Sequence, residues 1–185
     1  MADLKNARVL MIAADGFETV ELFEPRKALE EAGATVTLAS IKKDPIQGMK
    51  GDINKAETAE VDLTLDEVDV DQFDALVLPG GVANPDKLRT EDKAVEIVQD
   101  FMDDDKIVAA ICHAPWLLVE ADVVEGRRVT GFESIRTDLE NAGADVVSDE
   151  EVVVDENLIT SRCPDDIPAF NKAIIQALTE AMADA

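Results

Sequence analysis

The stretch that decides the fold is Lys106-Ile-Val-Ala-Ala-Ile-Cys-His-Ala-Pro-Trp-Leu-Leu118. Its first part, Ile107 to Ile111, is an unbroken run of small and branched apolar residues, which is typical of a strand buried on both faces of a parallel sheet. The run ends at Cys112-His113, and Pro115 suits the first turn of a helix whose apolar face begins at Trp116. The sequence therefore predicts a strand, a tight turn and a helix, with a thiol at the bend.

A thiol on such a bend would stand above the sheet, beside the first N–H groups of the helix. The helix dipole would stabilise a thiolate there, which is a common origin of a reactive cysteine. In general, a cysteine in apolar surroundings is more often a small buried hydrophobic residue. Two features favour chemistry here: the single histidine of the chain, His113, directly follows Cys112, and the pair falls at the strand end where open α/β sheets bind ligands.

Apolar strands alternate with amphipathic helices along the rest of the chain. Strands are predicted at 7–14, 34–40, 75–78 and 127–131, with short edge or hairpin strands within 41–64 and a hairpin over 151–161. Helices are predicted at 18–32, 91–104, 115–122, 134–142 and 167–181, with Ser134 as an N-cap. This alternation predicts one domain, residues 1–185, built as a three-layer α/β sandwich around a mostly parallel sheet.

The composition excludes several classes of protein. The chain has 185 residues, of which 46% are hydrophobic, and a formal charge of -24 from 41 acidic and 17 basic residues. Without a basic cluster, this charge excludes a binder of nucleic-acid phosphates and disfavours an anionic membrane surface. Acidic surfaces of this kind are found in halophiles, so we expect a salt-adapted protein. Because the sequence has no apolar run of membrane-spanning length and no signal-peptide core at its start, we expect it in the cytoplasm.

The sequence predicts neither a metal nor an organic cofactor. One histidine and two cysteines far apart, Cys112 and Cys163, do not form a ligand set with recognisable spacing. The loop Asp15-Gly-Phe-Glu18 after the first strand lacks the glycine spacing of a dinucleotide site. Cys163, just before the last helix, is expected to be structural.

Three loops that directly follow buried strands carry the unusual residues, and parallel strands would bring all three to one edge of the sheet. Cys112 would supply a nucleophile there, Glu18 a carboxyl group and His113 an imidazole. Backbone N–H groups that could bind an oxyanion are expected at Gly80, Gly81 and Ala114. These are the parts needed to attack a carbonyl carbon. Taken alone, Glu18 is better explained as a first-turn carboxylate favoured by a helix dipole, and the two glycines fit an ordinary tight turn equally well.

Four motifs occur in order along nearly the whole chain: Asp15-Gly-Phe-Glu-Thr-Val-Glu-Leu, Leu76-Val-Leu-Pro-Gly-Gly, Ala110-Ile-Cys-His-Ala-Pro, and Glu151-Val-Val-Val-Asp followed by Ser161-Arg-Cys-Pro-Asp-Asp. Together they resemble the PfpI branch of the ThiJ/PfpI superfamily. The resemblance implies a flavodoxin-like sandwich and homo-oligomers built from dimers, often hexamers. It also implies a Cys-His pair assisted by a carboxylate from the neighbouring subunit.

By this resemblance, Cys112 corresponds to the nucleophile of the family, His113 to its adjacent histidine, and Glu18 to the carboxyl that contacts the thiol. Asp86 falls in the loop where some members place the carboxylate donated across the interface, although its side chain is shorter than that of glutamate. Ala114 stands where a glycine is common. The working base is left open between His113 and Glu18.

The resemblance implies a cofactor-free enzyme that acts on reactive carbonyls, as a glyoxalase that converts methylglyoxal into lactate or as a deglycase of protein adducts. The nearest alternative is an intracellular cysteine peptidase. A second is a redox sensor or holdase in which Cys112 is oxidised to a sulfinate. Papain-like and amidotransferase-type triads are excluded because both need a histidine far downstream of the cysteine. The expected partners are a small 2-oxoaldehyde, a peptide or a glycated protein.

Overall fold

Apolar runs form the strands of a seven-stranded central sheet. The structure is a computed structural model that describes residues 4–184. The strands are β1 (Arg8–Ile12), β2 (Phe17–Glu18), β3 (Thr35–Ser40), β4 (Ile46–Lys50), β5 (Asn54–Ala59), β6 (Leu63–Thr64), β7 (Ala75–Leu78), β8 (Ile107–Ile111), β9 (Arg128–Val129), β10 (Asp145–Val146), β11 (Val152–Asp155) and β12 (Leu158–Ser161). The α-helices are α1 (Thr19–Glu31), α2 (Ala83–Leu88), α3 (Asp92–Asp103), α4 (Pro115–Glu120), α5 (Arg136–Asn141) and α6 (Ile167–Asp184).

The central sheet is mostly parallel. Its strand order is β11-β12-β8-β7-β1-β3-β6, and each neighbouring pair is parallel except β11 with β12, which form the predicted hairpin. The chain passes from β1 to β3 on one side and later to β7 on the other, so the strand order reverses at β1. Open α/β sheets form their binding crevice at such a reversal, outside the carboxyl ends of the strands.

Alternate residues of each strand face opposite layers of helices, because successive side chains of a strand point to opposite faces of the sheet. In β1, Val9 and Met11 pack in the core cluster that contains residues of α1 and α6. Leu10 and Ile12 pack in the cluster that contains residues of α3, α4 and α5. All five residues of β8 are buried. The predicted three-layer sandwich with a mostly parallel sheet is therefore confirmed.

Three local predictions differ from the structure. The first helix begins at Thr19 rather than Glu18, because Phe17–Glu18 is extended and pairs with β4 in a small separate sheet. The loop in which Asp86 was expected contains the short helix α2, whose Pro85 suits a first turn. The strand predicted over 127–131 is limited to β9, which pairs with β10 outside the central sheet. Beyond β9, the N–H of Thr130 donates to the hydroxyl of Thr160 and not to a strand carbonyl. Over residues 4–184, no helix is long and apolar enough to cross a membrane.

Candidate active site

Cys112 occupies the bend between β8 and α4. Its φ of 66° lies in the left-handed region, which costs a residue other than glycine about 1–2 kcal/mol. Backbone hydrogen bonds hold it on both sides: its N–H donates to the carbonyl of Ser161 at 3.1 Å, and its carbonyl accepts from the N–H of Phe132 at 2.8 Å. The predicted nucleophile elbow is therefore present, and local strain is concentrated at the residue that carries the thiol.

The loop after β7 passes close enough to the elbow that only glycine fits. A Cβ added to Gly80 would collide with Oε2 of Glu21 and lie 2.7 Å from Cβ of Cys112. A Cβ on Gly81, whose φ is +81°, would lie 2.7 Å from the backbone nitrogen of Glu18. The loops after β1, β7 and β8 thus meet at one edge of the sheet, as the parallel topology predicts.

The carboxyl group beside the thiol belongs to Glu21, not to Glu18 as predicted. Glu21 is fully buried, and its Oε2 accepts a hydrogen bond from the N–H of Gly80 at 2.9 Å. Its carboxyl and the thiol of Cys112 are close enough for a hydrogen bond that affects both pKa values, although Oε1 has no partner of standard hydrogen-bond geometry among the described residues. Burial raises the pKa of Glu21 from 4.5 to about 8, so this carboxyl is mainly protonated at neutral pH.

Glu18 has a different role because it precedes α1 instead of starting it. Its Oε2 accepts from the N–H of Gly51 at 2.8 Å, at the tip of the β4–β5 hairpin. Burial raises the pKa of Glu18, and the hydrogen bond from Gly51, which lowers this pKa, only partly offsets the effect. Glu21 could have been found from the sequence, because it lies on the same buried stripe of α1 as Pro25 and Leu29 at a spacing of four residues.

His113 is brought directly to the thiol, although adjacent side chains usually point apart. Its Nδ1 lies 3.2 Å from Sγ of Cys112, and its Nε2 lies 3.0 Å from Oγ of Ser134. The ring of Phe132 stacks on the imidazole with centroids 4.6 Å apart, and Trp116 meets it edge-on at 5.3 Å. Burial lowers the pKa of His113, so the imidazole is neutral at neutral pH and can accept a proton.

The resting sulfur is a thiol, which corrects the expectation of a thiolate at the elbow. Cys112 is only 5% exposed. Burial is the main cause of the raised pKa of its thiol, and the nearby carboxyl of Glu21 raises it further. Hydrogen bonds from the N–H groups of Gly81 and His113 oppose this shift without reversing it. Cys112, His113 and Glu21 are therefore all neutral before substrate binds.

The three predicted oxyanion donors are not equivalent. The N–H of Gly80 is taken by Glu21, and the N–H of Ala114 donates to the carbonyl of Ile111 at 3.0 Å. The N–H of Gly81 is the one of the three that bonds to the sulfur of Cys112. The prediction that Gly80 and Ala114 offer free N–H groups to an oxyanion is therefore wrong, because both N–H groups already donate to acceptors within the protein.

Asp86 is exposed within α2, where its N–H donates to the carbonyl of Val82. The acidic residue of this chain whose charge acts on His113 is instead Asp52, which raises the pKa of that imidazole. Asp52 sits at the β4–β5 hairpin tip with a φ of 62°, and its Oδ1 accepts from the N–H of Val82 at 2.8 Å. Neither Asp52 nor Ser134 was predicted as a site residue, because their approach to His113 depends on long-range folding.

Residues 4–184 contain no group of three or more histidine, cysteine, aspartate or glutamate side chains arranged to hold a metal ion. Cys163 is a free, half-buried thiol just before the 3-10 turn Pro164–Asp166. It shares a small surface pocket with Phe132, Arg136 and Arg162.

The chain belongs to the DJ-1/PfpI family, which matches residues 7–177. It is 46% identical over 171 residues to general stress protein 18 of Bacillus subtilis, covering 92% of this chain and 97% of that protein. It is 44% identical to the deglycase PfpI of Pyrococcus furiosus, covering 92% and 99%. It is 40% identical to the putative cysteine protease YraA of Bacillus subtilis, covering 94% and 99%.

Among solved structures, the chain is similar to a two-domain protein of Anabaena variabilis that contains DJ-1/ThiJ/PfpI-like and ferritin-like domains. The TM-score is 0.88 at 38% sequence identity, and the match covers 93% of this chain and 48% of that one. These comparisons confirm the family resemblance predicted from the four motifs. The names of the relatives support an enzyme of the deglycase and cysteine protease group.

Proposed function

We propose that the chain is a cysteine-dependent enzyme acting on reactive carbonyls, a deglycase of 2-oxoaldehyde adducts on proteins that also converts methylglyoxal into lactate. The observation that carries the proposal is the neutral cluster at the elbow, in which Cys112 lies between a proton acceptor, His113, and a buried protonated carboxyl, Glu21. A group whose pKa lies near the working pH is suited to give and take protons during turnover.

In the first step, the sulfur of Cys112 adds to the aldehyde carbon of methylglyoxal while its proton passes to Nδ1 of His113. The carbonyl oxygen receives a proton from Glu21, which leaves a neutral hemithioacetal and a carboxylate. The imidazolium and carboxylate then form a charged pair in the buried site, where electrostatic stabilisation is stronger than in water.

In the second step, the carboxylate of Glu21 removes the proton from the former aldehyde carbon while the imidazolium of His113 protonates the ketone oxygen, which gives an enediol. Glu21 then returns its proton to the adjacent carbon as the hydroxyl proton on the former aldehyde carbon passes back to His113. The product is a thioester of lactate, which water hydrolyses to lactate and the free thiol. For a glycated amine, the sulfur of Cys112 would displace the amine at the aminocarbinol carbon: the C–S bond forms as the C–N bond breaks, the thiol proton reaches the leaving amine through His113, and the same hemithioacetal results. No external oxidant or reductant is needed, since one carbon is oxidised as its neighbour is reduced.

Two alternatives are less well supported by the geometry. A peptidase needs several free donors for the oxyanion of a tetrahedral intermediate, but the N–H groups of Gly80 and Ala114 are already bonded within the protein. The name of the relative YraA keeps peptide cleavage as the second candidate. A redox sensor reacts through a thiolate, whereas burial raises the pKa of the Cys112 thiol.

We also propose that the chain forms a dimer or hexamer in which Asp86 approaches a neighbouring site. Supporting this, Asp86 is exposed beside Val82, which is 37% exposed, and Ile53 at the hairpin tip is 83% exposed. Such apolar side chains next to a site mouth are suited to contact another subunit. Light scattering combined with the activity of Asp86→Asn would test this; a fully active monomer would contradict it.

The test of the proposed function uses purified protein at high salt. Lactate formation from methylglyoxal, amine release from a methylglyoxal-treated peptide and cleavage of a fluorogenic peptide are measured side by side. We expect the first two activities, their loss in Cys112→Ser, and their retention in Cys163→Ser as the matched control. Lactate formation that persists in Cys112→Ser would contradict the mechanism, and peptide cleavage alone would favour the peptidase.

A further inference from the structure

His113 is held at both ring nitrogens and on its faces. Nδ1 contacts the thiol of Cys112 at 3.2 Å, and Nε2 contacts the hydroxyl of Ser134 at 3.0 Å. Phe132 and Trp116 enclose the ring. The imidazole therefore links the reacting sulfur to one serine hydroxyl, in the place where other nucleophilic triads have a residue that orients the base.

The proton positions on this ring decide whether it can act as a base. A neutral imidazole carries one proton, and the nitrogen without it is the acceptor. Nδ1 can take the thiol proton only when the ring proton is on Nε2. That form needs an acceptor at Nε2, and the hydroxyl oxygen of Ser134 is placed to be one.

We infer that Ser134 is the positioning residue of this pair: its oxygen accepts a hydrogen bond from Nε2–H of His113 and so keeps Nδ1 free to receive the proton of Cys112. The inference deepens the proposed function and rests on it for the reaction that the pair performs. Ser134 acts through His113 and does not contact the substrate in this role.

The hydrogen bonds around the sulfur support this direction. The sulfur accepts from the N–H groups of Gly81 and His113, and Nδ1 of His113 is the side-chain atom of the described residues at standard hydrogen-bond geometry to it, at 3.2 Å. With donors on these sides, the thiol proton is best directed at Nδ1. The ring proton must then be on Nε2 and directed at Ser134.

The backbone fixes Ser134 relative to the elbow. The N–H of Phe132 donates to the carbonyl of Cys112 at 2.8 Å, and Ser134 lies two residues further on, inside the 3-10 turn Glu133–Ile135. The predicted role of Ser134 as a helix N-cap is therefore wrong, because α5 begins only at Arg136. Its hydroxyl is free to bond to the imidazole instead.

A hydroxyl and a carboxylate at this position would have different consequences. A carboxylate would stabilise the imidazolium and raise the pKa of His113, giving a charged pair at rest. The serine hydroxyl orients the ring without adding charge. This agrees with the lowered pKa of His113 and with a site that becomes charged only during reaction.

The single histidine of the chain makes the inference directly measurable. Nitrogen NMR of protein labelled at histidine reports one imidazole, and we expect the wild type to carry its proton on Nε2 above the pKa of His113. In a Cys163→Ser background, Ser134→Ala should distribute the proton over both nitrogens and slow alkylation of Cys112 by iodoacetamide about five- to thirty-fold. Ser134→Thr, which keeps a hydroxyl, should restore both readouts.

Thr179→Ala, which removes a hydroxyl on α6 that bonds to Ile175, is the matched control and should change neither readout. A wild-type spectrum with the proton on Nδ1 would overturn the inference without any variant. The inference would also be overturned if Ser134→Ala had the same spectrum and the same alkylation rate as wild type. Neither measurement uses a carbonyl substrate, so failure of the proposed function and failure of the role of Ser134 give different results.

Discussion

Replacing Glu21 by glutamine should change how the stability of the protein depends on pH. The carboxyl is fully buried, and burial raises its pKa from 4.5 to about 8. Between these values the folded protein holds a proton that the unfolded chain has released, so the wild type loses about 1.4 kcal/mol of unfolding free energy per pH unit as the pH rises. The total cost approaches about 5 kcal/mol as an upper bound. Glutamine does not titrate, so the unfolding free energy of Glu21→Gln should lack this decrease with rising pH.

The assay is urea unfolding of both proteins at high salt, at a series of pH values from below 4.5 to above 8. The stability of Glu21→Gln relative to wild type should rise steadily across this range and level off at its upper end. Glu24→Gln, at an exposed position on the same helix, is the matched control and should show no such trend. A difference between Glu21→Gln and wild type that is independent of pH would refute the protonated buried carboxyl.

Three further predictions concern the glycine loop, the hairpin tip and the acidic surface. Gly80→Ala should destabilise the protein by roughly 1–3 kcal/mol and abolish activity, because its Cβ would collide with Glu21. In Gly126→Ala a Cβ meets no atom within 4 Å, but the φ of +72° strains the backbone by about 1–2 kcal/mol; this variant should therefore lose stability too and yet stay active. Equal activity of the two variants would contradict the close approach. Asp52→Asn should lower the pKa of His113, since the charge of Asp52 raises it. NMR of the single imidazole would measure this shift, and an unchanged titration would show that Asp52 does not act on the ring. Finally, the charge of -24 predicts that molar KCl raises the thermal midpoint by screening self-repulsion. Equal midpoints in low and molar salt would contradict salt adaptation.

The fold was predictable because its signals are local. The apolar run Ile107–Ile111 and the bend at Cys112 can be read from adjacent residues, and parallel strands bring their loops to one edge whatever the details of packing. The hairpin β11–β12 was likewise marked by two apolar runs around a short turn. The position of the nucleophile and the convergence of three loops follow from these features alone.

The roles of individual side chains were less predictable because they depend on contacts between distant segments. Phe17–Glu18 pairs with β4 and the carboxyl of Glu18 bonds to Gly51, whereas Glu21, inside α1, supplies the carboxyl beside the thiol. Ser134 lies 21 residues after His113 and reaches it through the turn bonded to the elbow. The helix dipole led us to expect a thiolate at Cys112. Burial in the folded protein raises the pKa of this thiol, and the extent of burial cannot be read from neighbouring residues in the sequence.

The most direct test of sulfur attack on a carbonyl is to trap the intermediate. Cys163→Ser protein is mixed with methylglyoxal, quenched in acid during turnover and examined by intact and peptide mass spectrometry. We expect a transient adduct with the mass of one methylglyoxal on the peptide that contains Cys112, and none when Cys112→Ser is added. Lactate that accumulates with no adduct at Cys112 at any time during turnover would contradict nucleophilic attack by this thiol.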